Sequence, residues 1–247
     1  MKKNSIICLC IILIFSFRSS SFDRIEITNY FTNQDEFSGF IKEFGAMTTY
    51  HPDLPAESLG LFGWDLNANF KVVNIDENKG YWKNAVNIGG INIPSKYIII
   101  PQLSVTKGFF GNTELSVCYL PIPGSDISAV SGAVKWSFIE GSSVSPAISV
   151  RAAYTTLAKT TNFKMDDFNC SISVSKGFAV LTPYVFAGLN HTRISEIEVP
   201  NVYIPDKNET MFNYGAGMKI NIGVFSIKGY AAFSEIPVYS ISSSIGF

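Results

Sequence analysis

Residues 238–247 read VYSISSSIGF. Tyr239, Ile241, Ile245 and Phe247 share one parity, while Ser240, Ser242, Ser244 and Gly246 share the other. A period of two sends successive side chains to opposite faces of a strand, whereas a helix groups positions three and four apart. One face of this strand is therefore apolar and the other small and polar. A soluble domain gains little from closing on an aromatic that faces water. A strand whose outer face meets acyl chains gains from every apolar residue on it.

The alternation runs backwards through most of the chain. In Leu61–Val73, Phe62, Trp64, Leu66, Ala68, Phe70 and Val72 alternate with Gly63, Asp65, Asn67, Asn69 and Lys71. Comparable segments occupy Tyr97–Lys107, Thr113–Leu120, Ile127–Ile139, Val144–Leu157, Asp166–Lys176, Ala179–Leu189, Met211–Asn221, Val224–Phe233 and Val238–Phe247. Ten strands bring both ends of the sheet to the same side, as a single-chain barrel requires. The expected fold is all-β: a ten-stranded antiparallel transmembrane β-barrel with a short N-terminal amphipathic helix.

Connection lengths supply a separate test. Strands one and two are joined by residues 74–96 and strands seven and eight by Asn190–Thr210, both on one side. The opposite side has Gly108–Asn112, Glu140–Ser143, Gly177–Phe178 and a tight turn near Ile222–Gly223. Long outer loops and short periplasmic turns are the asymmetry of such barrels. The echo between Ser104–Phe109 and Ser173–Phe178 reads as one glycine-dependent turn used twice.

Aromatics on the apolar parity sort by depth. Phe62, Trp64, Trp136, Phe138, Phe225 and Phe247 fall toward the short-turn ends; Phe70, Tyr97, Tyr119, Tyr154, Phe168, Phe212, Tyr214, Phe233 and Tyr239 fall toward the other. Two aromatic girdles around an aliphatic middle suit rings that sit at both bilayer interfaces. Pro101, Pro146 and Pro183 oppose the assignment, because a closed barrel has no edge where a missing N–H is harmless.

Before the barrel, Lys2 and Lys3 precede an apolar run from Ile6 to Phe17, followed by Ser19–Ser21. That run is shorter than the roughly 20 residues a spanning helix needs, so residues 1–21 read as a removable export signal. Residues 22–59 form an N-terminal segment and 60–247 the barrel. Phe37, Phe40, Ile41 and Phe44 recur at helical spacing, with Asn33 as cap and Gly45 as stop, predicting a helix of about ten residues. It either packs on the barrel mouth or membrane surface, or plugs the lumen; an aromatic stripe suits the first, since a lumen is expected to be polar.

Hydrophobic residues make up 47% of the chain, spread as alternation rather than blocks. Loss of the leader leaves 16 basic against 20 acidic residues, a charge of −4, and no concentrated basic patch points to nucleic acid. Cys118 and Cys170 fall on opposite parities, so they cannot pair, and no disulfide scaffold is expected.

The polar parity carries Asp65, Lys71, Glu114, Lys135, Arg151, Lys219 and Lys228, which should face the lumen. They either pair with one another or line a cationic constriction, with Arg151 and Lys228 near mid-depth, that favours anionic solutes. His51 and His191 are the chain's two histidines. His191 with Glu196, Glu198 or Asp206 would make a rim acid/base pair of the kind omptin-type proteases hold, but no nucleophile, metal-ligand or phosphate-loop motif accompanies it. No enzyme, metal or cofactor is expected.

The closing strand, with Tyr239, Ile241, Ile245 and Phe247, resembles the C-terminal assembly signal of bacterial outer-membrane β-barrels. Ser175–Phe178 and Leu181–Tyr184 resemble stretches of small proteobacterial barrel proteins, from which no activity carries over. The resemblance implies residence in the outer membrane and, as partners, the bilayer and the barrel-assembly machinery. Two functions fit: a passive small-solute pore or transport-related barrel, and a non-conducting, adhesin-like barrel whose loops bind a surface ligand.

Overall fold

Ten antiparallel strands close into one barrel in the computed structural model, which describes residues 34–76, 78–80, 96–123, 127–142, 144–158, 163–196 and 207–246. The leader, its cleavage point, Asn33, Glu198, Asp206 and Phe247 lie outside the described residues. A helix, α1 (Gln34–Thr48), precedes β1 (Trp64–Asn74), β2 (Tyr97–Phe109), β3 (Thr113–Pro121), β4 (Ser128–Ile139) and β5 (Ala147–Ala158). β6 (Phe163–Ser175), β7 (Leu181–Glu196), β8 (Lys207–Ile222), β9 (Phe225–Phe233) and β10 (Val238–Gly246) complete the wall. Each strand pairs with its sequence neighbours, and β1 pairs with β10 from Asp65↔Gly246 to Val73↔Val238. No open sheet edge therefore runs the length of the wall.

Every predicted strand is present, with shifted ends. β7 and β8 run further than their alternation suggested, so the connection between them shrinks to 197–206. The extension carries His191 out of the expected loop and into β7. Pro146 precedes β5 rather than lying in it. Pro101 sits opposite Phe70 of β1, in the part of β2 that precedes its pairing with β3 at Leu103, where a missing donor is tolerated. Pro183 lies one residue outside the β6–β7 register, which ends at Ser175↔Tyr184.

The paired turns differ from the expected repetition. β2 continues through Gly108 to Phe109, and positive φ falls at Gly111 and Asn112; after β6 it falls at Ala179. Gly108 serves instead for close approach, since a Cβ there would strike the main-chain oxygen of Gly60.

The wall's outer parity is apolar through its middle and turns polar at the loop end of β6–β8, at Lys164, His191, Arg193 and Thr210. Leu103, Val117, Val134, Ile172, Val185 and Ile241 are exposed at mid-height. Trp64, Trp136, Phe138 and Phe225 ring the end with the short turns, hereafter the turn end; Tyr97, Tyr119, Phe212, Tyr214 and Tyr239 ring the other, the loop end. Cys118 is buried and Cys170 exposed, both free, as opposite parities require. Among the described residues no helix is long and apolar enough to cross a membrane, which says nothing of strands.

α1 is longer than its stripe implied and does not stop at Gly45. The helix runs on to Thr48, whose hydroxyl bonds the Phe44 and Gly45 carbonyls, and Thr49 N–H closes on Gly45 O at 2.8 Å. Gly45 is small because Thr192 of β7 presses against it: a Cβ would lie 2.7 Å from the Thr192 hydroxyl oxygen.

Candidate functional site: the occupied lumen

The barrel interior is layered along its axis, and the layering decides where α1 goes. At the loop end the inward residues are apolar: Val73, Ile100, Leu120, Met165, Ile194 and Met211. Phe40, Ile41, Phe44 and Met47 of α1 are buried among them. Each large side chain so buried contributes about 1.5–3 kcal/mol. The helix is thus seated in the mouth as a stopper rather than lying on the membrane surface. The polar-lumen expectation failed because short alternating segments show which face a residue takes, not how polarity is distributed along the depth of the closed tube.

Below Thr48 the chain threads the lumen to the turn end. Residues 49–56 are all buried, and inward side chains grip them at successive depths. Lys71 of β1 donates to Met47 O at 2.8 Å and Thr49 O at 2.7 Å. Asn190 of β7 donates to Thr49 Oγ1 at 2.9 Å. Arg151 of β5 donates through Nη1 to Tyr50 O at 2.7 Å, with its guanidinium 4.2 Å from the ring centre. Asn67 donates to Asp53 Oδ2 at 3.0 Å. Lys135 of β4 donates to Pro55 O at 2.8 Å and Glu57 O at 2.9 Å. Ser137 donates to Ala56 O, and Ala56 N–H returns a bond to Ser175 Oγ. Leu59 N–H donates to Glu114 Oε1 at 2.7 Å and Lys107 to Leu61 O at 2.6 Å, where the segment emerges.

Pro52 and Pro55 explain how such a segment can be buried without sheet or helix. They fix φ and remove two N–H groups for which the lumen would have to provide acceptors. The segment's carbonyls are then satisfied mainly by charged donors, the stronger kind of hydrogen bond. This stretch has no hydrophobic period. The signal that was available is the pair of prolines next to a buried-type mixture of small and polar residues.

The seven charged positions predicted to face inward do so, and their partners differ from a simple ring of charge. Asp65, Lys71, Glu114, Lys135, Arg151 and Lys228 are buried, and Lys219 is half-buried. Lys228 pairs with Asp65 at 2.8 Å and Lys135 with Glu114 at 3.0 Å. Lys228 stands opposite Ser242, midway along β10, and its side chain reaches toward the turn end to meet Asp65. Among the described residues Arg151 and Lys71 pair with no carboxylate; the lumen segment's oxygens take that place. At the closing strand Tyr239 and Ile241 face outward, Ile245 is half-buried, and Ser242 and Ser244 face in.

Aromatic side chains also point inward on β7 and β9, which the alternation did not reveal. Tyr184, Phe186 and Tyr230 are buried, with the Phe186 and Tyr230 centroids 6.2 Å apart. Gly215 and Gly217 of β8 leave room for them, since a Cβ at either would collide with the Phe186 or Tyr184 ring. His51 stacks into this layer, 6.0 Å from Tyr230. The second histidine, His191, faces outward and bonds Thr210 Oγ1 at 2.9 Å. Among the described residues no group of three or more His, Cys, Asp or Glu side chains is arranged to hold a metal ion.

Wall and lumen together define a closed ten-stranded antiparallel barrel with an apolar exterior, stoppered and threaded by its own N-terminal segment. The chain belongs to a family of unknown function (DUF6588), whose model matches residues 33–247 and so takes in the lumen segment as well as the barrel. No curated protein matches the chain. Among solved structures it is similar to the N-terminal β-barrel domain of Pseudomonas aeruginosa OprF, at 14% identity and a TM-score of 0.38 over 76% of this chain and 99% of that one. It is similar to Ail, the attachment invasion locus protein of Yersinia pestis, at 10% identity and a TM-score of 0.34 over 76% and 100% of the two chains. A KdgM porin in complex with oligogalacturonate matches at 5% identity and a TM-score of 0.40, over 74% of this chain and 99% of its own.

Proposed function

We propose that this protein is an exported outer-membrane β-barrel whose resting state does not conduct, and whose working surface is the loop end facing the exterior. The observation that carries the reading is the lumen segment. Lys71, Arg151 and Lys135 hold a main chain that occupies the tube where a solute would have to pass. The membrane part rests on the outer parity: an aliphatic belt between two aromatic girdles is solvated by lipid at less cost than by water. The loop end gathers the first turns of α1, where Ser38 donates to Glu209 of β8 and Lys42 pairs with Glu235 at 2.8 Å. That surface would engage a partner, in the adhesin-like sense. No catalysis is assigned to it.

A second reading, a solute pore that opens when the segment withdraws, has one observation in its favour. The wall holds the segment largely by its carbonyl oxygens, so it can leave without breaking the wall's own ladder. Planar-bilayer recordings on the full chain separate the two. The closed reading expects no steady conductance from wild type and brief openings from a Lys71→Gln/Arg151→Gln variant. Steady wild-type conductance would establish the pore instead. Recovery of the native protein from the soluble periplasm without detergent would remove both.

A further inference from the structure

Near the turn end the Lys135, Lys219 and Lys228 side chains share the lumen with the carboxylates of Asp65 and Glu114. Both carboxylates are fully engaged. Asp65 accepts from Lys228 on one oxygen and from Ser244 on the other, at 2.8 and 2.9 Å. Glu114 accepts from Lys135 and from Leu59 N–H, at 3.0 and 2.7 Å. Lys219 of β8 is the remaining cation, and among the described residues it has no hydrogen-bond or ion-pair partner. It also stands directly across the β8–β9 ladder from Lys228. Like charges directly opposite on one face destabilise a strand pair. Among the described residues Lys219 is therefore a cation without an ion-pair partner; Glu57 lines the adjoining recess, with its carboxylate lying toward Gly141 and Gly177.

Lys219 also lies where a ligand has access. An opening of about 510 Å³ at the turn end is lined by Lys219 and Asn221, by the β8–β9 turn through Ser226, by the exit of the lumen segment at Leu59–Trp64, and by Asp65, whose carboxylate is already held by Lys228 and Ser244. A smaller recess of about 70 Å³ continues inward past Lys219 toward Pro55 and Lys135. The opening falls within the size range of small-molecule sites. Its wall is polar where Lys219 and Asn221 stand, and apolar at the rim, where Phe62, Val224 and Phe225 are exposed.

We propose that this opening binds a small oxyanion, with the Lys219 ammonium as its counter-charge and Asn221 as a neighbouring donor. The site is independent of whether the lumen conducts. Two sources present the same chemistry: a free phosphate in the solution bathing the turn end, and the phosphate of an anionic lipid whose chains pack on the apolar rim. The lumen-segment exit closes the site on one side, so occupancy also braces Leu59–Trp64 against the wall.

Calorimetric titration of the full chain in uncharged detergent tests this, with inorganic phosphate as one probe and phosphatidylglycerol in mixed micelles as the other. Saturable binding is expected, weakened at least tenfold in Lys219→Gln, retained in Lys219→Arg, and unaltered in Lys164→Gln, which changes an exposed lysine at the opposite end. Heat-modifiable gel mobility confirms that each variant is folded. Saturation by phosphate assigns the site to the free ion, and saturation by phosphatidylglycerol alone assigns it to the headgroup. Equal binding in wild type and Lys219→Gln, or saturation by neither probe, overturns the proposal.

Discussion

Arg151 donates to the main-chain oxygen of Tyr50 at 2.7 Å while its guanidinium lies 4.2 Å from that residue's ring, so one wall side chain holds the threaded segment by both its backbone and its side chain. A charge-assisted hydrogen bond contributes about 1.5–3 kcal/mol, and a buried cation over a ring adds roughly 2 kcal/mol. Arg151→Gln should therefore lower the urea unfolding free energy by about 2–4 kcal/mol. If Arg151 instead served only ion selectivity, reversal potentials under a salt gradient would shift and unfolding would not.

The stopper depends on apolar seating, not on helix propensity. Phe44→Ala removes a buried ring that stacks on Phe40 with centroids 5.4 Å apart. The expected loss is about 3–5 kcal/mol. Because α1 contacts the wall more weakly than the strands contact each other, the loss should appear first as release of the stopper. Trypsin should then cut at Lys42 while the wall resists.

The Lys228–Asp65 pair sits in a confined space where a lone charge is poorly tolerated. Lys228→Met alone should cost about 3–5 kcal/mol in urea unfolding, and adding Asp65→Leu should restore much of that. A double change as damaging as the sum of two singles would show that the two side chains are not coupled at all.

Gly217→Ala should destabilise by about 1–3 kcal/mol, since the new methyl meets the Tyr184 ring. Tyr184→Leu in the same chain should relieve the clash. The double variant is then more stable than additivity allows, which a double-mutant cycle reads directly.

Much of the wall is legible in the sequence because strand alternation is a local property. Phe62 to Val72, or Tyr239 to Ile245, declare their two faces with no knowledge of any partner. The inward placement of Lys71, Arg151 and Lys219 follows from the same parity, as does the separation of Cys118 from Cys170. Where the parity was short of evidence, at the ends of β7 and β8, the strands run on because each has a neighbour to pair with, and pairing is not written in either strand alone.

The amino-acid sequence by itself determined ten two-faced strands, an apolar exterior and a polar inner parity. Only the tertiary structure decided what fills the tube. Residues 49–59 have no period to read, since their partners are ammonium, guanidinium, hydroxyl and carboxylate groups on β1, β3, β4, β5, β6 and β7, brought together by closure of the wall. The destination of α1 was decided in the same way. Its aromatic stripe fits the mouth because closure collects Val73, Ile100, Leu120, Met165 and Met211 into one apolar ring, which none of their strands displays alone. Pairing of charges is likewise a property of the closed barrel: Asp65 reaches Lys228 across β10, and Lys219 is left over.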